Sequence, residues 1–342
     1  MIGTNEFIPL RQRLTPCVEQ RYPEFERHFE AFRYPDPRRG TAQAYYFHPT
    51  DCRDWHNRMV EKMLAREPGR HFPVFRMSHG EFMLALGYRY PRQLGTSRLL
   101  SDAITFYHQL RRWTGLEPAF RSGSHLNTYE EFTKREIAAA EAAYIFNLAS
   151  ISREGILAAA FYDNPGFNEY FPDFFDWMDG RGIVLNTENY MPFYSVYALL
   201  AGSRLRDFVE GRQVLIATSF RGDKEERLTH AMQELGACGV QFYATHPSKA
   251  IFDRIDLGRI QSGTDIVFVG AGVGAAAVIE QLRPLGALCI DAGFCLDMLA
   301  YPDMRWERPY CAPDPIFDLS KVKYISDARK SELLARQKTL VG

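Results

Sequence analysis

After Asp179 the chain settles into short apolar runs separated by polar, helix-forming stretches: RGIVL (Arg181 to Leu185), QVLIATS (Gln213 to Ser219), VQFYAT (Val240 to Thr245), DIVFVGAG (Asp265 to Gly272) and ALCIDAG (Ala287 to Gly293). Runs that stay apolar instead of alternating are buried on both faces, as strands of a parallel sheet covered by helices are. The second half therefore predicts a βαβα unit. Upstream, HFPVFRM reads as a further strand and GEFMLALG as a helix stopped by Gly87. Met59, Met63 and Leu64 recur at helical spacing and predict a helix over Trp55 to Arg66. Thr128 as N-cap with Glu131 three residues on opens a second helix, rich in strong formers, that runs to Ile151. Residues 161–180 crowd aromatics around Pro165, Gly166 and Pro172, which predicts an irregular segment whose rings serve buried packing, the alternative being an exposed surface that stacks a sugar ring or docks a partner.

The expected fold class is α/β, a mostly parallel Rossmann-like sheet flanked by helices with a helical amino-terminal extension. Residues 1–70 form that extension, 71–320 the α/β domain with a helical insertion around 100–180, and 321–342 a tail. There is no internal repeat.

Composition narrows the function without naming it. The chain has 342 residues, 46% hydrophobic and 24% charged, as globular proteins do. With 41 Lys+Arg against 42 Asp+Glu, the net charge of -1 offers no long-range pull on nucleic acid or on an anionic membrane. Any anion must be held by a local site. The six cysteines form neither a CxxC pair nor a His/Cys cluster, so reduced thiols in a cytoplasmic protein are expected rather than zinc or a disulfide framework. No run of about 18 apolar residues predicts a membrane span. Nothing in the pattern sets the oligomeric state.

Candidate chemistry collects where strands give way to helices, because the carboxyl ends of parallel strands and the amino ends of the next helices open onto one crevice. The first such junction is FRMSHGEF, with His79, Gly80 and Glu81 in a row. In ATSFRGDKEERL, Ser219, Arg221 and Lys224 combine a helix start with two cations and suit a phosphate, while Asp223, Glu225 and Glu226 equally suit an ordinary acidic first turn. In IVFVGAGVGAAAVIEQL, Gly270, Gly272 and Gly274 let backbone approach a ligand without a Cβ in the way. Asp291 ends the next strand about twenty residues on, the spacing of a dinucleotide fingerprint in which Gly270, Gly272 and Ala275 supply the turn and the acid the ribose contact. That reading, an NAD(P)-linked oxidoreductase, needs further strands after the acid, where VKYI is the one plausible run.

Together, FRMSHGE, VLIATS, HPSKAIFD and IVFVGAGVGAAAVIEQLRPLGALCIDAG resemble the GT-D-type glycosyltransferases of bacterial surface-glycan and adhesin glycosylation, over roughly Phe72 to Tyr301. The resemblance implies a GT-D-like fold that transfers a sugar from a nucleotide-sugar, most often a UDP-sugar, to a glycan, glycoprotein or small acceptor. It matches Arg76 with His79-Gly80-Glu81, then Gly270 to Gly274, Gly286, and Asp291-Ala292-Gly293 running to Asp297. It implies a divalent ion, Mn²⁺ or Mg²⁺, at His79 and Glu81, with Glu81 alternatively the acceptor base. It also implies phosphate contacts from Arg76, Arg221, Lys224 and Lys249. Two positions depart from the pattern: His79 stands for the first acid of the family's Asp-x-Glu pair, and Phe294 for a histidine. An imidazole ligates Mn²⁺ but serves Mg²⁺ poorly. The departures favour an alternative, a nucleotide-binding or scaffold protein of the same fold without transfer. Glu188, placed just after the run RGIVL, is a candidate base for an acceptor hydroxyl. His125 and His246 read as cap and turn residues.

Overall fold

The computed structural model describes residues 16–26, 35–36, 41–42, 51–77, 81–82, 99–100, 103, 106–107, 110, 147–159, 161 and 171–302 except 248. Seven of its strands form one sheet in which every pairing is parallel. After a short antiparallel pair, β1 (Pro35–Asp36) and β2 (Thr41–Ala42), these are β3 (Phe72–Met77), β4 (Ile156–Ala159), β5 (Tyr190–Pro192), β6 (Gln213–Thr218), β7 (Gly239–Ala244), β8 (Thr264–Gly270) and β9 (Leu288–Asp291). The spatial order is β5-β4-β3-β9-β8-β6-β7. All of β3, β4 and β9 is buried, as expected for strands covered on both faces.

Helices α1 (Pro16–Arg21), α2 (Pro23–Glu26) and α3 (Asp51–Leu64) precede the sheet. Trp55, Met59, Val60 and Met63 of α3 are fully buried, and the helix packs on β5. The helix expected to end at Ile151 runs through 147–154, and its earlier residues lie outside the described ones. Gly87, His125, the run VKYI and the tail 321–342 lie outside them too.

Two expectations are corrected. RGIVL is not a strand. Helix α4 (Phe171–Asp179) ends in a turn made by Gly182 at φ +61°, with the Ile183 amide donating to Met178 O, and Val184 is left exposed. The strand that fills the sheet is instead ILAA, β4. It begins after Gly155, whose missing Cβ lets the chain lie against Pro73 O, 1.9 Å from where a Cβ would stand. The aromatic stretch is not irregular throughout: α4 is a regular helix, since Pro172 in its first turn lacks only an N–H that has no helical partner there. The rings of the stretch's described residues, Phe161, Phe171, Phe174, Phe175 and Trp177, are buried, as expected. Phe171 and Phe174 meet Phe82 edge-on at 5.3 and 5.0 Å, and Phe161 stacks on Tyr190 at 5.2 Å.

The remaining helices are α5 (Phe193–Ala201), α6 (Leu205–Val209), α7 (Asp223–Glu234), α8 (Ala275–Gln281) and α9 (Cys295–Ala300). From β6 the chain passes through α7 to β7 on one side, and from β8 through α8 to β9 on the other. Right-handed crossovers in opposite directions put α7 and α8 on opposite faces. The carboxyl ends of β6 and β8 therefore form a topological switch point, the place where open parallel sheets take ligands. Among the described residues no helix is long and apolar enough to cross a membrane.

Candidate functional site

The switch point is tied together locally. The Thr218 hydroxyl at the end of β6 donates to Gly270 O at the end of β8, 3.2 Å, and accepts the Phe220 amide at 3.4 Å. A Cβ on Gly270 would stand 2.5 Å from Leu296 Cδ1, so this glycine is there for packing. Gly274 serves the same purpose. A Cβ on it would lie 2.5 Å from Ile251 N and 2.7 Å from Ala250 C, which brings the Lys249 segment against the glycine turn. Gly272 differs: its φ of +53° requires glycine, and nothing lies within 4 Å of the Cβ position. Of the three glycines, it is the one whose surface is open to a ligand.

Across the crevice, Gly222 at φ +63° opens α7, which has no side-chain cap. Lys224 reaches over to α9 and pairs with Asp297 Oδ1 at 2.6 Å, its ammonium 4.1 Å from the Phe220 ring centre. Arg221 is exposed and folds its guanidinium back onto Thr218 O and Phe220 O. Asp223 is held by the Tyr301 hydroxyl at 2.8 Å and by Arg227 at 2.8 Å, which draw its carboxyl below the usual range. Ser219 lies half-buried in the same turn. His246 shapes the next loop: its Nδ1 accepts the Lys249 amide at 2.9 Å.

Arg76 is not a solvent-facing phosphate contact. Its guanidinium is buried between Phe193, Tyr197 and Asp291: Nε donates to Asp291 O at 2.8 Å and a terminal amine to Oδ1 at 3.1 Å. Asp291 is 3% exposed and also accepts the Arg76 amide at 3.2 Å. Burial lifts the Asp291 carboxyl to about 6, with the charge of Glu81 adding to the rise and that of Arg76 opposing it. Asp291 also keeps Arg76 protonated well beyond its ordinary range, against the cost of burial. The acid that the dinucleotide fingerprint assigns to a ribose is thus taken by an arginine.

Glu81 opens the helical turn after β3, close enough for its charge to act on Asp291, and is anchored by the fully buried Phe82. His79 lies outside the described residues. Among the described residues no group of three His, Cys, Asp or Glu side chains could hold a metal ion. The acids here do not fit one unaided, since Asp291 is committed to Arg76 and Asp297 to Lys224.

Glu188 stands apart from this group. It precedes β5 and so sits at the amino edge of the sheet, in a turn where Asn186 Oδ1 accepts the Glu188 amide at 2.8 Å and Lys62 donates to Glu188 O at 2.6 Å. Its assignment near the crevice depended on reading RGIVL as a strand. Sequence reasoning did not anticipate Thr218, the tie between β6 and β8, although a Thr closing a strand before a Gly-Asp turn was a visible cue.

No family model matches the chain, and no curated protein does. Among solved structures it is similar to the selenomethionine-substituted structure of domain of unknown function 1792 (DUF1792), at 10% identity and a TM-score of 0.40, over 81% of this chain and 97% of that chain.

Proposed function

We propose that the protein binds a nucleoside diphosphate-sugar at the carboxyl edge of the sheet and transfers the sugar to a hydroxyl acceptor. The observation that carries this reading is the switch point between β6 and β8, which gathers the Ser219–Lys224 loop, the open Gly272 turn and the Asp291–Asp297 loop around one crevice. The diphosphate lies along Gly272 and the start of α7, with Arg221, Lys224 and Lys249 answering its charge. In the reaction the acceptor oxygen bonds to the anomeric carbon, the bond from that carbon to the diphosphate oxygen breaks, and the acceptor proton passes to a base, for which Glu81 is the candidate. Charge that develops on the departing diphosphate is what fixed cations stabilise most. No step is assigned to a metal; Mn²⁺ at Glu81 and His79 belongs to the test.

A second reading, nucleotide binding without transfer, is favoured by the commitment of Asp291 and Asp297 to cationic partners. A thermal-shift series separates the two, using UDP, UDP-, GDP- and dTDP-sugars and NAD(P), each with and without Mn²⁺. A ligand at 100 times its Kd stabilises by about 2.7 kcal/mol. Stabilisation by one nucleotide-sugar, followed by its turnover with an acceptor, supports transfer. Stabilisation without turnover supports binding alone, and no shift from any nucleotide overturns both.

A further inference from the structure

A groove of about 670 Å³ opens at the amino-terminal edge of the sheet, opposite the loops just described, with Phe72 in its lining. Its volume falls in the range of roughly 300–1,000 Å³ that small-molecule sites occupy. Charge is unevenly matched on its walls. Lys62 is answered by Glu188 at 3.3 Å, and Glu154 is taken by Arg283. The other charged residues of the lining are three arginines, Arg66, Arg70 and Arg153, and one acid, Glu67, with the charge of Asp265 also near Arg66.

Arg66 is the most telling of these. One terminal amine donates to Asp265 O at 2.8 Å, but Nε is buried with no hydrogen-bond partner. Burial, together with the nearby charge of Arg212, holds its pKa below the ordinary guanidinium value. An oxyanion in the groove offsets the repulsion between Arg66 and Arg212. Guanidinium forks match phosphate oxygens in pairs, which a lone ammonium does not.

We propose that this groove is a second binding site, for a phosphate-bearing small molecule whose oxyanion is received by Arg66, Arg70 and Arg153. It lies at the edge of the sheet opposite the switch point and stands or falls independently of the transferase reading.

The probe is inorganic pyrophosphate, titrated into the full chain by calorimetry. Arg70 and Arg153 are both exposed, so Arg70→Ala with Arg153→Ala leaves the fold intact, as circular dichroism checks. Saturable binding that weakens tenfold or more in this double variant and persists in Lys224→Ala supports the site. No binding, equal binding by the double variant, or loss of binding in Lys224→Ala overturns it. Vesicles of phosphatidylcholine with phosphatidylglycerol identify the source of the phosphate. Pelleting that depends on the two arginines supports the site with a lipid headgroup as ligand. Pyrophosphate binding without pelleting supports it with a soluble one.

Discussion

Arg76 and Asp291 grip each other across the β3–β9 pair through three hydrogen bonds, with both side chains out of solvent. Gly293 makes room for this contact, since a Cβ there would stand 1.8 Å from the Arg76 terminal amine. Breaking a buried pair from one side strands the other charge. Arg76→Met is therefore expected to lower stability by about 3–5 kcal/mol, and Arg76→Met combined with Asp291→Leu by far less. Urea unfolding of the three proteins measures this. A loss under about 1 kcal/mol in the single variant would show that the pair is not the anchor of this edge.

The same pair gives stability a pH dependence. The Asp291 carboxyl rises from 3.8 to about 6 on folding, so between those values the folded state binds more protons than the unfolded one. Its contribution is fully present below 3.8 and lost as pH rises through about 6, an effect on the order of 2–3 kcal/mol. The ¹³C resonance of the Asp291 carboxyl should titrate with a midpoint near 6. A midpoint near 4 would mean that Arg76 outweighs burial.

Substitutions in the glycine turn should separate packing from openness. Gly274→Ala drives a Cβ into the backbone of Ala250 and Ile251, and a loss of about 1–3 kcal/mol is expected. Gly272→Ala meets no atom but must hold φ near +53°, which costs about 1–2 kcal/mol. Only the Gly272 change should also weaken nucleotide binding, because its Cβ enters the space reserved for the ligand. Equal binding by both variants would remove the turn from the site.

Lys224→Ala deletes a partly exposed ion pair, for which less than about 1 kcal/mol of stability is expected. Its affinity for a nucleoside diphosphate should nevertheless fall about tenfold. Calorimetric titration beside a urea curve distinguishes the two effects, and unchanged affinity would place the diphosphate elsewhere.

Phe82 ties Glu81 to the aromatic cluster. Phe82→Ala is expected to cost about 3–5 kcal/mol and to loosen the turn that presents Glu81. Thermal unfolding gives the first quantity. If Glu81 acts as base, turnover should fall by more than donor affinity does.

The sheet was legible wherever burial on both faces left an unbroken apolar run, as in β6 and β8. It was misread where a short apolar run follows a helix. RGIVL and ILAA are both short and mostly apolar, and what separates them is how each glycine is used: Gly182 closes α4 into a turn, while Gly155 fits against Pro73. That one exchange carried Glu188 to the wrong edge. The loops of the crevice could be found from sequence because glycine and cations after a strand are local signals. The partnership of Arg76 with Asp291 could not, because it joins residues far apart in the chain through β9.

The position of β9 has a consequence for biosynthesis. Among the described strands of the sheet it is the last to be made, yet it lies in the middle, pairing with β3 on one side and β8 on the other. Until Leu288–Asp291 leaves the ribosome, the described strands of the sheet fall into two three-stranded pieces, β5-β4-β3 and β8-β6-β7, whose facing edges β3 and β8 lack their central partner. Such long-range closure is slow, and the open edges invite pairing with other chains. The central strand thus works as a keystone: any truncation upstream of it leaves two unfinished sheets rather than a smaller version of the same protein.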